Sequence, residues 1–404
     1  KTTTASGFTD TKGHWAEGAI SAAVQHGALD KGGSFRPDAA ISREDMAVIL
    51  VRALGYQSVA EKAASYALPF TDVKNNKGYV TVAYDIGLTN GVSATQFAPA
   101  ASATREQAAT MLVRIYEKYT AKTSWLHGFY AISSYSQIGL TQSMDAVSLG
   151  WSRMTYAADT GAVLHTTTSG GNVYAIPSGY ADAVKQLQAN GCQLNLSVFM
   201  DNHGGALAAM LADANGRSQA VQAILTEATR TYADLGSSPY TGVTIDFEGL
   251  AGSTNQANFT AFLQALSRQL QAKNLRLAVA VMPATADGAY YNGYDYRAIG
   301  DLADKVILMA HDYQPSKLTG YTGTTYYKNA ALTPFQSVYD SLRVATDPNT
   351  GVQDTSKLAL AISSAANAWQ VDANGKLVSE TPTFPTASTL LTRMKGGATM
   401  EIGR

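Results

Sequence analysis

Gly242-Val243-Thr244-Ile245-Asp246-Phe247-Glu248 reads as one short strand with two unlike faces. Side chains two residues apart on a strand share a side. Thr244, Asp246 and Glu248 therefore point into a common space, and Val243, Ile245 and Phe247 pack the other way, onto helices. Two carboxylates this close disfavour joint ionisation, so one is pushed toward its protonated form. A general acid needs that state. Spacing alone leaves a second reading open, in which Asp246 and Glu248 pair with basic groups inside a packed layer.

Around this strand the same pattern recurs. Strand-length apolar runs lie at Leu126–Ile132, Ala146–Tyr156, Gln193–Met200, Gly242–Phe247, Leu275–Met282, Lys305–Ala310 and Lys357–Ile362. Helical spacing lies between many of them, at Tyr180–Ala189, Ser218–Leu235, Asn255–Lys273 and Pro334–Ala345. Such alternation predicts a parallel sheet in an α/β fold. Seven units across residues 126–404 fit a (β/α)8 TIM-type barrel, with the last strand not evident. In that fold chemistry sits at the carboxyl ends of the strands. Tyr130, Trp151, Asp201, Asn202, Met282 and Tyr313 lie at or near those ends and are candidate sugar contacts. For Trp151 and Tyr130, each taken singly, core packing is the favoured reading. No Gly-rich dinucleotide or phosphate loop follows any strand.

Residues 7–118 have a different grain. Phe8-Thr9-Asp10 recurs as Phe70-Thr71-Asp72, Phe35-Arg36-Pro37 as Phe97-Ala98-Pro99, and Ser42-Arg43-Glu44 as Thr104-Arg105-Glu106, each 62 residues on. Between these anchors the Trp15 to Gly27 stretch reads as shortened in the second copy, and the loop after Gly87 as longer. Ile20, Ala23 and Val24 carry helical spacing that stops at Gly27. Ser42 and Thr104 are N-caps for second helices bearing Met46, Ile49, Leu50 and Ala53, or Ala108, Met111, Leu112 and Ile115.

These copies resemble S-layer homology repeats, at 7–58 and 68–118. The carriers are Phe8-x-Asp10, His14-Trp15-Ala16, the Gly-rich loop into Phe35-x-Pro37, and the boxes Ser42-Arg43-Glu44-Asp45 and Thr104-Arg105-Glu106-Gln107. The resemblance implies small all-α repeats that bind a secondary cell-wall polysaccharide. Asp10, Trp15, Arg43, Glu44, Asp72, Arg105 and Glu106 are the implied contacts. Arg43 and Arg105 would grip an acidic sugar through the guanidinium fork, or else only cap neighbouring elements. The family usually shows three repeats and this chain shows two. Gly78-Tyr79 reads as the replacement for His14-Trp15 in the second copy.

Residues 119–125 read as a polar linker. Beyond it, the strand at Gly242–Glu248 resembles the catalytic strand of glycoside hydrolase family 18, through Gly242, Asp246 and Glu248. Met309-Ala310-His311-Asp312-Tyr313 resembles the family's sixth-strand motif. The approach Tyr294-Asp295-Tyr296-Arg297 is similar to the branch acting on bacterial cell walls and spore cortex. The resemblance implies a retaining mechanism assisted by the substrate's own 2-acetamido group. Glu248 would be the acid and base. Asp246 would orient the acetamido N–H, Asp312 and His311 would assist, and Met309 would line the floor. Thr241 and Thr244 stand where the family carries acids, and His311 where it carries Tyr. Trp369 is a further candidate, although no eighth strand ending in Trp is found. The scheme needs neither metal nor cofactor, and the six histidines show no ligand spacing.

Composition bounds the rest. Thirty Lys+Arg against 31 Asp+Glu leave a net charge of -1, which argues against a nucleic-acid partner. Charged residues are 15%, hydrophobic residues 46%, and the sole cysteine, Cys192, forbids an internal disulfide. No run of about 18 apolar residues occurs, so nothing reads as a membrane-spanning helix. The start at Lys1-Thr2-Thr3-Thr4 is of the kind a processed signal peptide leaves. The expectation is a secreted glycosidase at the bacterial cell surface, cutting β-1,4 bonds at N-acetylglucosamine in peptidoglycan or a chitin-like glycan. The alternative is a non-catalytic sugar-binding or structural surface-layer protein on a vestigial barrel.

Overall fold

The structure is a computed structural model and describes residues 7–121, 123–284, 291–311, 313, 315–363, 366–386 and 389. The chain divides into two compact units, with the boundary between Thr123 and Ser124.

The first unit is helical. It holds α1 (Glu17–Gln25), α2 (Arg43–Ala53), α3 (Gln57–Ala63), α4 (Lys77–Asp85) and α5 (Arg105–Thr120). Ser42 caps α2 by accepting from the Asp45 N–H, and Thr104 forms a full capping box with Gln107. Each copy closes its long loop in one way. The Asp10 carboxylate accepts from Phe35 N and Arg36 N at 2.8 and 2.7 Å. Asp72 accepts from Phe97 N and Ala98 N at 2.9 and 2.7 Å. Arg36 and Ala98 both sit in the left-handed region, at φ 56° and 57°. The paired carboxylate bonds hold this unfavourable conformation in place. The two copies meet where Arg43 N donates to Ala101 O at 2.9 Å and Ala103 N to Ile41 O at 2.8 Å.

One expectation needs correction here. The opening helices α1 and α4 are both nine residues long, so the second copy's helix is not shortened. The two-residue difference lies in the loop before it, and Gly78-Tyr79 lies inside α4 rather than at the place of His14-Trp15. Gly78 is where α4 crosses α3 closely. A Cβ there would fall 1.7 Å from Ala60 O, so only glycine fits.

The second unit is a curled parallel sheet of TIM-barrel type. Its strands are β1 (His127–Tyr130), β2 (Ala146–Ala157), β3 (Gly161–His165), β4 (Gln193–Asp201), β5 (Gly242–Glu248), β6 (Arg276–Val281), β7 (Lys305–Leu308) and β8 (Leu358–Leu360). The order is β1-β2-β4-β5-β6-β7-β8, all parallel, with β3 turned back antiparallel on β2. Among the described residues no strand joins β8 to β1. Among the described residues the α-helices between the strands are α6 (Tyr180–Ala189), α7 (Ala206–Ala212), α8 (Ala214–Thr229), α9 (Ser253–Gln271), α10 (Tyr296–Leu302) and α11 (Phe335–Ala345). The segment expected as a helix to Leu235 ends at Thr229. Arg230 turns extended there, and Tyr232 pairs with Ser237 in a short bridge. The hairpin strand β3 and the short helices α7 and α10 were not expected.

The core explains the register. Val243, Ile245 and Phe247 are fully buried on the helix side of β5. Phe247 stacks on Phe262 of α9 at 5.3 Å. A shift of one residue would expose these three side chains and bury the carboxylates.

Candidate active site

Asp246 and Glu248 are the last two residues of β5 on the sheet face opposite Val243, Ile245 and Phe247. Burial first, and the neighbouring Glu248 second, push the Asp246 carboxyl up to about 7. Its Oδ1 is buried and has no hydrogen-bond partner among the described residues. Beyond Glu248 the chain turns sharply. The Glu248 carbonyl accepts from Asn202 N at 3.0 Å, and Gly249, at φ 78°, donates to Met282 Sδ at 3.1 Å. Tyr294 Oη donates to Phe247 O at 2.7 Å. These bonds fix the strand end from three sides.

Beneath the pair lies a polar layer. Thr244 Oγ1 meets Ser148 Oγ at 2.7 Å and accepts from Asn195 Nδ2 at 3.0 Å. Ser148 also meets His127 Nε2 at 2.7 Å. Burial holds His127 down at about 4, so its ring is neutral near pH 7. The layer is therefore uncharged, and Asp246 has no carboxylate below it at Thr244 with which to share a proton. Beside it Ala278, Ala280, Ile307 and Met309 form a small apolar cluster, with Met282 and Trp125 packed on it.

The remaining wall was not legible as a motif. Arg153, Phe199, Asp246 and Ala280 are register partners across four strands. Arg153 Nη2 donates to Asp201 Oδ2 at 2.8 Å and lies over the Phe199 ring at 5.5 Å. Tyr174 stacks on Phe199 at 4.7 Å. Burial raises the Tyr174 hydroxyl; Arg153 pulls it back, while Asp246, Glu248 and Asp201 push it further up, so all four charges reach this hydroxyl.

The description Glycosyl hydrolases family 18 matches residues 126–395, and S-layer homology domains match 7–47 and 69–109. The chain belongs to glycosyl hydrolases family 18. Its fold is similar to that of a chitinase from Chromobacterium violaceum, at TM-score 0.50 and 20% identity over 68% of this chain and 77% of that one. At that identity the likeness shows the fold. The chain is also 34% identical over 117 residues to the exoglucanase XynX of Acetivibrio thermocellus, covering 28% of this chain. It is 35% identical over 108 residues to a surface-layer 125 kDa protein of Lysinibacillus sphaericus, covering 26% of this chain. These matches span only 11% and 9% of the two relatives' own lengths.

Several expected contacts lie elsewhere in this family-18 barrel. Tyr130 and Trp151 are not at the mouth. Both are buried on the helix side, in the main core, with Trp151 edge-on to Tyr180 at 6.3 Å. On β1 the alternation turns Phe129, half exposed, to the opposite face. Asn202 accepts from Ala208 N at 2.9 Å and so anchors the start of α7. Tyr313 shares a hydrogen bond with Ser341 of α11 at 2.9 Å. Trp369 packs on a satellite cluster of Leu318, Ala330 and Leu377. Asp201 is at the mouth, split between Arg153 and the His203 N–H at 2.8 Å. His311 is half-buried just past β7. Asp312 lies outside the described residues.

In the S-layer homology repeats the two arginines differ. Arg43 is buried, donates through Nε to Phe97 O at 2.8 Å and lies over the Phe97 ring at 4.9 Å. It pins one copy to the other, which is the capping role. Asp10 and Asp72 are likewise committed to their loops, and Glu44 accepts from Asn76 Nδ2 at 2.7 Å. Arg105 and Glu106 are exposed, and Trp15 is 89% exposed. Of the seven implied contacts, Trp15, Arg105 and Glu106 are exposed, and among the described residues none of these three side chains holds a loop or the seam between the copies.

Proposed function

We propose that this chain is a cell-surface glycosidase that cleaves β-1,4 bonds at N-acetylglucosamine, in peptidoglycan or a chitin-like glycan, by substrate-assisted retention. Family membership supports a glycosidase, and the Oδ1 of Asp246, buried beside Glu248 and without a partner among the described residues, carries the mechanism. A lone buried acceptor is costly unless a ligand satisfies it. The N–H of a 2-acetamido group is a donor of the right kind.

The sequence of events is as follows. Glu248 gives its proton to the glycosidic oxygen as the bond from that oxygen to the anomeric carbon breaks. The acetamido carbonyl oxygen bonds to that carbon from the opposite face, forming an oxazolinium ion. Asp246, ionised, accepts the N–H and offsets the positive charge. Glu248 then takes a proton from water, whose oxygen bonds to the anomeric carbon and releases the acetamido oxygen. His311 and Asp312 assist in holding the acetamido group, and Met309 lies under the sugar. The S-layer homology repeats hold the protein to wall polysaccharide, through the exposed Arg105, Glu106 and Trp15, after its export.

Turnover of purified peptidoglycan and of N-acetyl-chitooligosaccharides by wild type and by Glu248→Gln tests this. Cleavage of either substrate by wild type, and its loss in the variant, is expected. A folded wild type that cleaves neither leaves the sugar-binding or structural reading in its place.

A further inference from the structure

Arg153 should point away from the carboxylates by simple alternation. On β2, Ser148 faces the interior, where it meets Thr244, so residues 150 and 152 would follow it and 153 would not. The strand is interrupted. Leu149 pairs with Leu196 and Ser152 with Val198, three steps on β2 against two on β4. This bulge reverses the parity, and Arg153 arrives on the same face as Phe199 and Asp246. Bulges beside active sites commonly re-aim a side chain in this way.

What is re-aimed is a guanidinium with capacity to spare. Arginine has five N–H donors. Among the described residues, one hydrogen bond of the Arg153 side chain is made, from Nη2 to Asp201. The side chain is 38% exposed and Asp201 is 32% exposed, so both reach solvent at the mouth. Tyr174 and Phe199 supply an aromatic wall beside them. A cation rich in donors, a carboxylate acceptor and an aromatic surface together match the hydroxyls, ring oxygen and apolar face of a sugar ring.

Resting on the glycosidase reading above, we infer that Arg153, with Tyr174, forms a binding subsite for the sugar unit next to the one cleaved. Arg153 donates to its oxygens while Asp201 holds the guanidinium plane. It is a binding residue, outside the bond-breaking steps. Lysine would keep the charge but lose the planar fork.

Two measurements test this together. The first is steady-state kinetics of Arg153→Lys on an N-acetyl-chitooligosaccharide of four units or more. KM should rise roughly tenfold with kcat within about twofold, the pattern of lost uniform binding. An unchanged KM, or a fall confined to kcat, overturns the subsite. The second is calorimetric binding of the same oligosaccharide to Glu248→Gln, with and without Arg153→Lys. Binding should weaken roughly tenfold in the double variant; equal binding overturns the subsite and leaves the glycosidase reading intact. Wild type that binds through Arg153 but never cleaves removes the glycosidase reading and keeps the subsite. Melting temperatures within a few degrees of one another confirm that the variants are folded.

Discussion

Asp246 carries two opposed demands. Burial and Glu248 raise its carboxyl to about 7, while the proposed chemistry uses it ionised. The cost shows in stability. The folded state keeps the proton up to about pH 7, whereas the unfolded chain loses it near 3.8. Between those values the folded state binds more protons, so this group's contribution to stability is full below pH 3.8 and is lost as pH rises through 7. Asp246→Asn should therefore stabilise the protein at pH 8, by on the order of 2–4 kcal/mol relative to its effect at pH 4. Denaturant unfolding at both values checks it, and a pH-independent difference would remove the assigned shift. Glu248→Gln should lower turnover by about 10²–10⁴-fold, as expected for loss of a general acid, read as release of reducing ends. The two carboxylates were legible because strand alternation is a short-range rule. Arg153 and Tyr174 were not, because a bulge reverses the alternation on β2 and Tyr174 comes from a loop with no pattern.

Elements tell the same story at the next scale. All seven parallel strands were visible as apolar runs, since a sheet covered on its helix side needs them. Trp151 and Tyr130 lie in the core, as the favoured reading of each has it, and lying near a strand end alone says nothing of which face a side chain takes. The polar layer under the carboxylates is a feature of strand pairing, legible in part through Thr244 alone. Thr244→Val would strand Asn195 and Ser148 as buried groups lacking one partner. A loss of about 1–3 kcal/mol follows, measured by thermal or denaturant unfolding; a neutral effect would show that the layer is dispensable. In the repeats, Arg43 and Arg105 occupy the same motif position but not the same environment. Arg43→Ala should destabilise the helical unit by about 1–3 kcal/mol through loss of the Phe97 contact, seen in hydrogen exchange of residues 97–103. Arg105→Ala should leave stability within about 0.5 kcal/mol and weaken pull-down by purified wall polysaccharide. Equal effects of the two on stability would contradict the division of roles.

At the scale of the whole molecule, the chain joins a family-18 barrel to two S-layer homology domains. Both halves were legible, one through period and anchor motifs, the other through a single strand and its neighbours. The low net charge and the absence of cysteine pairing bound the partners without naming one. Removal of residues 7–118 should abolish retention on isolated walls while sparing cleavage of a soluble oligosaccharide. Retention by the remaining barrel alone would shift the anchoring role to it. The most direct test of the chemistry follows the anomeric proton of the new reducing end by NMR as an N-acetylated β-1,4 substrate is cut. The account predicts that the β-anomer appears first and then equilibrates. First appearance of the α-anomer would contradict it, since the acetamido group of the substrate would then not be the internal nucleophile that Asp246 holds.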